Sequence, residues 1–319
     1  MDVVLGIDIG GTGIKFGLVT KKGKIVFTDK VKTKAYPKPE KLPEDLKKRI
    51  AETLKTQKLT LRGIGIGTPN GNYFTGTIDN APNLPWKTLV PLKEYFQNTF
   101  DLPVALTNDA KAAALGEMLY GAAKGCKHYI FITLGTGLGS GIIVDGKLVY
   151  GFDSLAGELG HIIVYRNGRV CGCGRKGCLE QYASATGIVK TYYELLRTKN
   201  VDQFRMSLGN MIDAEEIFTR AKEGEEMALE AFNRTGYILG FALANSACYT
   251  RPEKIFLFGG LAQAGDMLFK PTIESFNENV MGIYAGKIQI LPSGLKESEA
   301  AILGAASLIW KEIPRTKKK

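Results

Sequence analysis

A chain of 319 residues is longer than one hydrophobic core ordinarily serves, so two lobes are expected. Hydrophobic residues make up 45% and aromatic ones 9%, enough for a sizeable core, and no apolar run approaches the roughly 20 residues that cross a bilayer. The net charge of +10 raises nucleic acid as a partner, but Lys and Arg are spread along the chain except at Arg315–Lys319 (RTKKK). Nothing resembles a helix-turn-helix or an aromatic–basic RNA platform. The charge is read as a solvated basic surface and tail, compatible with a polyanionic substrate, and neither nucleic acid nor membrane is expected as a partner.

In chain order, Met1–Gly10 (MDVVLGIDIG) places an acid where a secretory signal carries basic residues. A folded strand from the outset and a cytoplasmic protein are expected. The strand opens a segment, residues 5–26 (LGIDIGGTGIKFGLVTKKGKIV), that returns as residues 130–149 (IFITLGTGLGSGIIVDGKLV). Gly11-Thr12-Gly13 aligns with Gly135-Thr136-Gly137, and Gly17 with Gly141. Each copy reads as strand, glycine turn, strand, second glycine turn, strand, the start of a β-meander occurring twice. Glycines let backbone N–H groups approach a ligand, and the threonine hydroxyl adds a donor. Two such hairpins facing one another would clamp phosphates; a single one would more simply be a tight hairpin.

The rest alternates in α/β fashion. Helices are expected near 43–57, 87–100, 109–123, 184–198, 213–223, 225–249 and 298–311, and strands at Gly63–Gly67, Val104–Thr107 and Ile255–Phe258. Ser298 is read as the N-cap of the last helix. The smaller N-terminal lobe is expected to comprise residues 1–109, with 298–319 crossing back to it by analogy with duplicated folds. The larger C-terminal lobe is expected to comprise residues 110–297.

Several residues have the chemistry of a phosphoryl-transfer site. Asp8 ends the first strand, and its counterpart in the second copy is the apolar Ile132, so its task belongs to one lobe. It suits a magnesium ion beside phosphates, or else caps its own turn. Asn108-Asp109 follows the strand Val104–Thr107, where residues face the crevice of an open sheet. Asp109 is either a helix N-cap or a base that accepts a sugar hydroxyl proton as the phosphoryl group arrives. His161, Cys171, Cys173 and Cys178 offer one imidazole and three thiolates on a glycine-rich loop, the ligand set of a closed, structural zinc site. Among five cysteines, Cys126 and Cys248 are left as inert core residues. Glu158 and Glu180 flank the zinc loop, where a stiffened backbone would aim them at sugar hydroxyls, and the second nitrogen of His161 would donate to the sugar. Pro82–Trp86 and Gly67–Gly71 are rigid loops that wall a sugar pocket or are ordinary turns, with Asn83 the candidate hydrogen-bonding residue. Gly259-Gly260 would rest against a flat adenine.

Taken together, DIGGT, NDAKAAALGE, LGTGLGSGI, GELGH and CGCGRKGCLE resemble the ROK family of sugar kinases and sugar-responsive repressors over essentially the whole chain. The resemblance implies the two-lobed, duplicated actin-like/hexokinase (ribonuclease H-like) fold with a zinc-stabilised loop. It also implies an ATP-dependent hexose kinase of carbohydrate metabolism, most like a glucokinase, working with Mg2+ and a structural Zn2+ as a homodimer. Asp109 would then be the catalytic base, and Asn83, Asn108, Glu158, His161 and Glu180 would contact the hexose. Gly10, Gly11, Thr12, Lys15, Gly135, Thr136 and Gly137 would hold the nucleotide's phosphates, with Asp8 at the Mg2+ beside them and Gly259 and Gly260 near the nucleoside.

Two positions depart from common members. Lys111 stands where many family kinases have asparagine, and is expected to affect surroundings rather than chemistry. Lys15 lies two places later than usual, resembling the polyphosphate-using glucokinase branch, although the stretch from Gly67 to Trp86 looks like the ATP-dependent enzymes. N-acetylmannosamine, mannose, fructose and allose remain alternative acceptors to glucose. A ROK sugar-sensing regulator is the alternative from another class, disfavoured because a strand beginning at Val3 leaves no room for a DNA-binding extension. An actin- or chaperone-type ATPase is a second, and such proteins need no zinc loop flanked by acids.

Overall fold

The β-branched run DVVLGIDI has no helical stripe and forms β1 (Asp2–Ile9), which pairs antiparallel with β2 (Gly13–Thr20), itself antiparallel to β3 (Ile25–Lys32). Two further strands, β4 (Thr60–Thr68) and β5 (Val104–Asn108), join parallel to β1, giving the sheet order β3-β2-β1-β4-β5. The same plan recurs with β6 (Tyr129–Leu134), β7 (Leu138–Val144), β8 (Lys147–Leu148), β9 (Lys254–Phe258) and β10 (Gln289–Pro292). Their order is β8-β7-β6-β9-β10, with β6 antiparallel to β7 and parallel to β9. The duplication expected from the glycine turns therefore extends to the whole of each sheet. This computed structural model describes residues 1–199, 201–207 and 211–313; Arg315–Lys319 lie outside the described residues.

The chain divides into two compact units. The first holds Met1–Cys126, Leu148–Ala156 and the chain from Gly294; the second holds Lys127–Lys147 and Gly157–Ser293. A division after Asp109 was expected, but the helix Asp109–Tyr120 belongs to the first unit. The reason is its approach to the last helix, Glu297–Glu312, where Gly116 meets Gly304: a Cβ on Gly116 would sit 3.0 Å from the Gly304 Cα. Backbones that close bury the helix as part of the first core. Ser298, expected as N-cap, lies inside the first turn, with Lys296 at the cap and Glu297 and Glu299 placing negative charge at the helix N-terminus. The helix expected from 87 begins at Leu92, after Pro91.

Each unit has its own core. In the first, Leu5, Ile7, Phe16, Ile64, Ile66 and Leu106 pack with Leu42, Leu46 and Phe96 on one side of the sheet. In the second, Ile130, Ile132, Ile255 and Leu257 pack with Ile188, Phe232, Leu239 and Leu268. Cys248 departs from its expected place in a core: it is exposed on the helix Glu226–Thr250, whereas Cys126 is buried. Among the described residues, no helix is long and apolar enough to cross a membrane.

Glycines in β1 and β4 admit the last helix to the other side of the first sheet. A Cβ on Gly65 would lie 1.8 Å from the Ala305 carbonyl oxygen, and one on Gly6 2.4 Å from that of Ile302. Gly65→Ala should therefore destabilise the protein by about 3 kcal/mol, the upper range for overpacking against backbone. Gly282→Ala, where a Cβ meets nothing within 4 Å, should stay within about 0.5 kcal/mol of the parent. Denaturant titrations of both variants check the contrast.

Candidate functional site

The parallel strands of the first unit end side by side, and their ends carry the polar residues. Register pairs Asp8 with Gly67 and Gly67 with Thr107, so Asp8 and Asp109 come from strands flanking β4. Gly67 keeps the space between them: a Cβ there would lie 4.0 Å from Asp8 Oδ1 and 3.6 Å from the Asp109 Cα. Burial first, and the Asp109 charge second, push Asp8 up to about 7, against the pull of Lys15. Asp109 is open to water on one side, yet the protein packed around it desolvates its carboxyl and raises its pKa, while the Ala110 N–H and the Asn108 side chain lower it. The N-cap is Asn108 rather than Asp109: Asn108 Oδ1 accepts from the N–H groups of Ala110 (3.0 Å) and Lys111 (3.3 Å). Its Oδ1 is engaged by the cap, while its side-chain N–H2 remains a donor. Asp109 Oδ1 also accepts from Ala110 at 2.8 Å.

The first glycine turn lies against the Pro82–Trp86 loop. A Cβ on Gly11 would stand 2.6 Å from the Asn83 carbonyl oxygen, so only glycine brings the turn so near Asn83. Gly10 N–H closes the turn on Gly13 O at 2.9 Å, and Thr33 Oγ1 donates to Gly10 O at 2.6 Å. Thr12 and Lys15 are exposed.

In the second unit β6 and β9 end together, with Thr133 in register with Phe258, so Gly135-Thr136 and Gly259-Gly260 follow neighbouring strand ends. Gly259 has φ +104, and a Cβ would lie 2.6 Å from Leu134 O. Beside the turn stands Glu180: its Oε2 is 2.7 Å from where a Gly137 Cβ would be, and it accepts from Leu138 N–H at 3.4 Å. Its other oxygen accepts from Cys171 Sγ at 3.3 Å and lies 4.0 Å from His161 Nδ1. One side chain thus touches both the turn and the cysteine cluster. Glu158 is exposed, and its carbonyl accepts from His161 N–H at 3.0 Å in a short 3-10 turn.

The donor atoms of His161, Cys171, Cys173 and Cys178 all lie within 4.8 Å of one another. Cys171 Sγ is 3.6 Å from His161 Nδ1, and Cys173 Sγ is 3.6 Å from Cys178 Sγ. Zinc–sulfur bonds of about 2.3 Å in a tetrahedron put sulfurs about 3.8 Å apart, so the four groups fit a closed zinc site. With Nδ1 turned to the cysteines, His161 keeps Nε2 for another partner.

The ROK family model matches residues 4–312. The chain belongs to the ROK family. It is 36% identical over 313 residues to a glucokinase of Halalkalibacterium halodurans, covering 96% of this chain and 94% of that one. It is 36% identical over 315 residues to a glucokinase of Thermotoga maritima, covering 97% and 98% of the two chains. Among solved structures, a ROK family glucokinase from Streptomyces griseus in complex with glucose and AMPPNP matches with a TM-score of 0.78 at 33% identity, covering 96% of this chain and 98% of that one.

Three features of this ROK chain are not legible in its motifs. Counted from the last paired residues, Ile9 with Ile14 and Leu134 with Leu138, the second turn is one residue shorter than the first. By that count Asp8 corresponds to Thr133 rather than Ile132, and Thr133 Oγ1 accepts from Gly139 N–H at 3.1 Å. The second turn is also held from behind: Ala185 N–H donates to Gly135 O and Thr186 Oγ1 to Thr136 O, both at 2.8 Å. The buried Glu117 of NDAKAAALGE is structural, with Oε1 accepting from Ala122 and Gly294 N–H groups.

Cys173→Ser should release the bound metal and lower the thermal midpoint, whereas Cys248→Ser should keep both; metal content and melting curves measured together test the ligand set. The pH dependence follows from Asp8. Its folded pKa of about 7 lies above its ordinary value of 3.8, so between these the folded state holds a proton that the unfolded chain has lost. Stability of the metal-free protein should fall as pH rises through that window, and Asp8→Asn should flatten the fall. Denaturation midpoints at about pH 4 and about pH 7 read the difference; an unchanged slope in the variant would clear Asp8.

Proposed function

We propose that this protein is an ATP-dependent glucokinase that moves the γ-phosphoryl group of ATP to the 6-hydroxyl of glucose. The observation that carries the reading is the Asp109 carboxylate at the end of β5, raised in pKa yet open to water, beside a second carboxylate and a glycine turn. A carboxylate raised towards neutrality is a better base, and phosphoryl transfer asks little more of the protein than a placed base and charge neutralisation. Asp109 accepts the 6-hydroxyl proton as O6 bonds to the γ-phosphorus. The bond from that phosphorus to the β–γ bridging oxygen breaks, and ADP leaves with the electron pair.

Around that step, Asn83, the Asn108 N–H2, Glu158, Glu180 and His161 Nε2 orient the sugar. Backbone N–H groups of Gly10–Thr12 and Gly135–Gly137, with Lys15, hold the donor phosphates, and Gly259 and Gly260 lie by the nucleoside. Two crowded carboxylates, one of them at about 7, suit a divalent cation that relieves their repulsion, so Asp8 is the residue that would hold Mg2+. When bound, the ion neutralises donor-phosphate charge. Zinc at His161, Cys171, Cys173 and Cys178 stiffens the loop between Glu158 and Glu180 and takes no part in the chemistry, since four protein ligands leave no open position. A cytoplasmic homodimer is part of this proposal.

A second donor has one observation behind it. Antiparallel register puts Lys15 opposite Lys30 and Gly13 opposite Lys32, so three lysines share the sheet face that bears Asp8. That row offers more positive charge than a nucleotide triphosphate uses, and suits a polyphosphate chain. Relatives that are kinases leave the sugar-sensing regulator as the weaker reading.

The test is kcat/KM for glucose, mannose, fructose, allose and N-acetylmannosamine, each with ATP and with inorganic polyphosphate. Glucose with ATP should lead; hydrolysis of ATP independent of sugar would refute the kinase. Asp109→Asn should lower kcat by about 1,000-fold, within the range for losing a general base and its charge, with glucose binding kept. Near-normal turnover would remove Asp109 from the mechanism.

A further inference from the structure

Lys111 is one of the largest fully buried side chains, at 1% exposure, two residues beyond Asp109 on the same helix. Its Nζ donates to the carbonyl oxygen of Ser154 at 2.5 Å. An ammonium group is expensive to bury without charge-assisted hydrogen bonds, so the contact fixes both partners. Ser154 is itself completely buried and held at φ +72, a left-handed conformation that costs a serine energy and persists only where its surroundings impose it.

The surroundings do impose it. Ser154 Oγ accepts from Tyr73 N–H at 2.9 Å, and Asn72 Nδ2 donates to Asp153 O at 3.1 Å. Tyr73 stacks on Tyr150, with ring centroids 4.1 Å apart, and Ala156 N–H closes on Tyr150 O at 3.0 Å. Residues 148–156 are thereby a strap anchored within the first unit, although the chain on either side of them belongs to the second. The strap runs on without a break into Gly157 and Glu158.

We propose that Lys111 is a positioning residue: by pinning the strap at Ser154 to the helix that carries Asp109, it fixes the segment that ends in Glu158 and so sets glucose affinity. The inference rests on the glucokinase reading for its kinetic consequence, but its structural half stands without it. A neutral side chain at position 111, even one of the same length, loses the donor. The strap then keeps the Asn72, Tyr73 and Tyr150 contacts and loses the one that ties Ser154 to the helix of Asp109.

Lys111→Met keeps the buried volume and removes the charge. The expected result is a KM for glucose raised about tenfold, with KM for ATP within about twofold and zinc content unchanged. Hydrogen–deuterium exchange of the Leu155 and Ala156 amides, read without any substrate, should speed up about tenfold or more. An unchanged glucose KM with unchanged strap exchange overturns the proposal. So does an equal loss across kcat and both KM values with unchanged strap exchange, which marks a merely structural lysine. If Lys111→Met does not fold, Asn72→Asp serves: it keeps the Oδ1 that accepts from Phe74 and Thr75 and loses the donor to Asp153. It should raise glucose KM about threefold with faster strap exchange, and native values for both overturn the idea. Should the wild type phosphorylate no sugar at all, the functional reading fails, and the exchange measurement still decides whether Lys111 holds the strap.

Discussion

Two carboxylates meet at the ends of strands in the first unit, where burial, and after it the charge of Asp109, pushes Asp8 up to about 7. Asp8 comes from β1 and Asp109 follows β5, and the strand between them offers Gly67, whose missing side chain leaves the space between the two acids open. Such a pair persists only because the sheet fixes both strand ends. β1 and β4 are fixed in turn by the last helix, which their glycines admit to within backbone contact. Repulsion of this kind is costly in an empty protein and useful in one that receives a cation and a proton, which is the logic of strained or crowded groups at functional sites. Lys15, in register with Asp8 on the same sheet face, pulls against that shift.

The second unit carries two acids, Glu158 and Glu180, on a long loop. Between β8 and the helix starting at Ala185 the chain has little regular structure beyond two short 3-10 turns. A loop of that length would ordinarily be mobile. Here the donor atoms of His161, Cys171, Cys173 and Cys178 converge, and Glu180 bridges from that cluster to the Gly137 turn. The loop is also tied to the second core through the buried Leu179 and Tyr182, with Leu159, Ile162 and Val164 packed against it.

Lys111 shows how a departure from a family motif acquires meaning. On the sequence it is one more lysine in an alanine-rich helix, and its position suggests an effect on surroundings alone. The fold buries it completely and gives it the carbonyl of Ser154, a residue 43 positions away. Periodicity cannot report such a contact, because nothing in a helical pattern says which loop will cover a given face.

The sequence alone determined the duplication, the recurrence of the glycine turns, the clustering of His161 with three cysteines and the family, because each is written in local spacing: glycines where backbones must approach, and His/Cys at chelating intervals. It also located Asp109 at a strand end. Tertiary structure decided the rest. It made Asn108 the cap instead of Asp109, since the cap goes to whichever side chain reaches the N–H groups of Ala110 and Lys111. It assigned the helix Asp109–Tyr120 to the first unit through the Gly116–Gly304 approach, matched Asp8 to Thr133 by shortening the second turn, and left Cys248 on the surface. These depend on which elements pack together across long stretches of chain, and that choice is made by the summed burial of two cores, which no local pattern encodes.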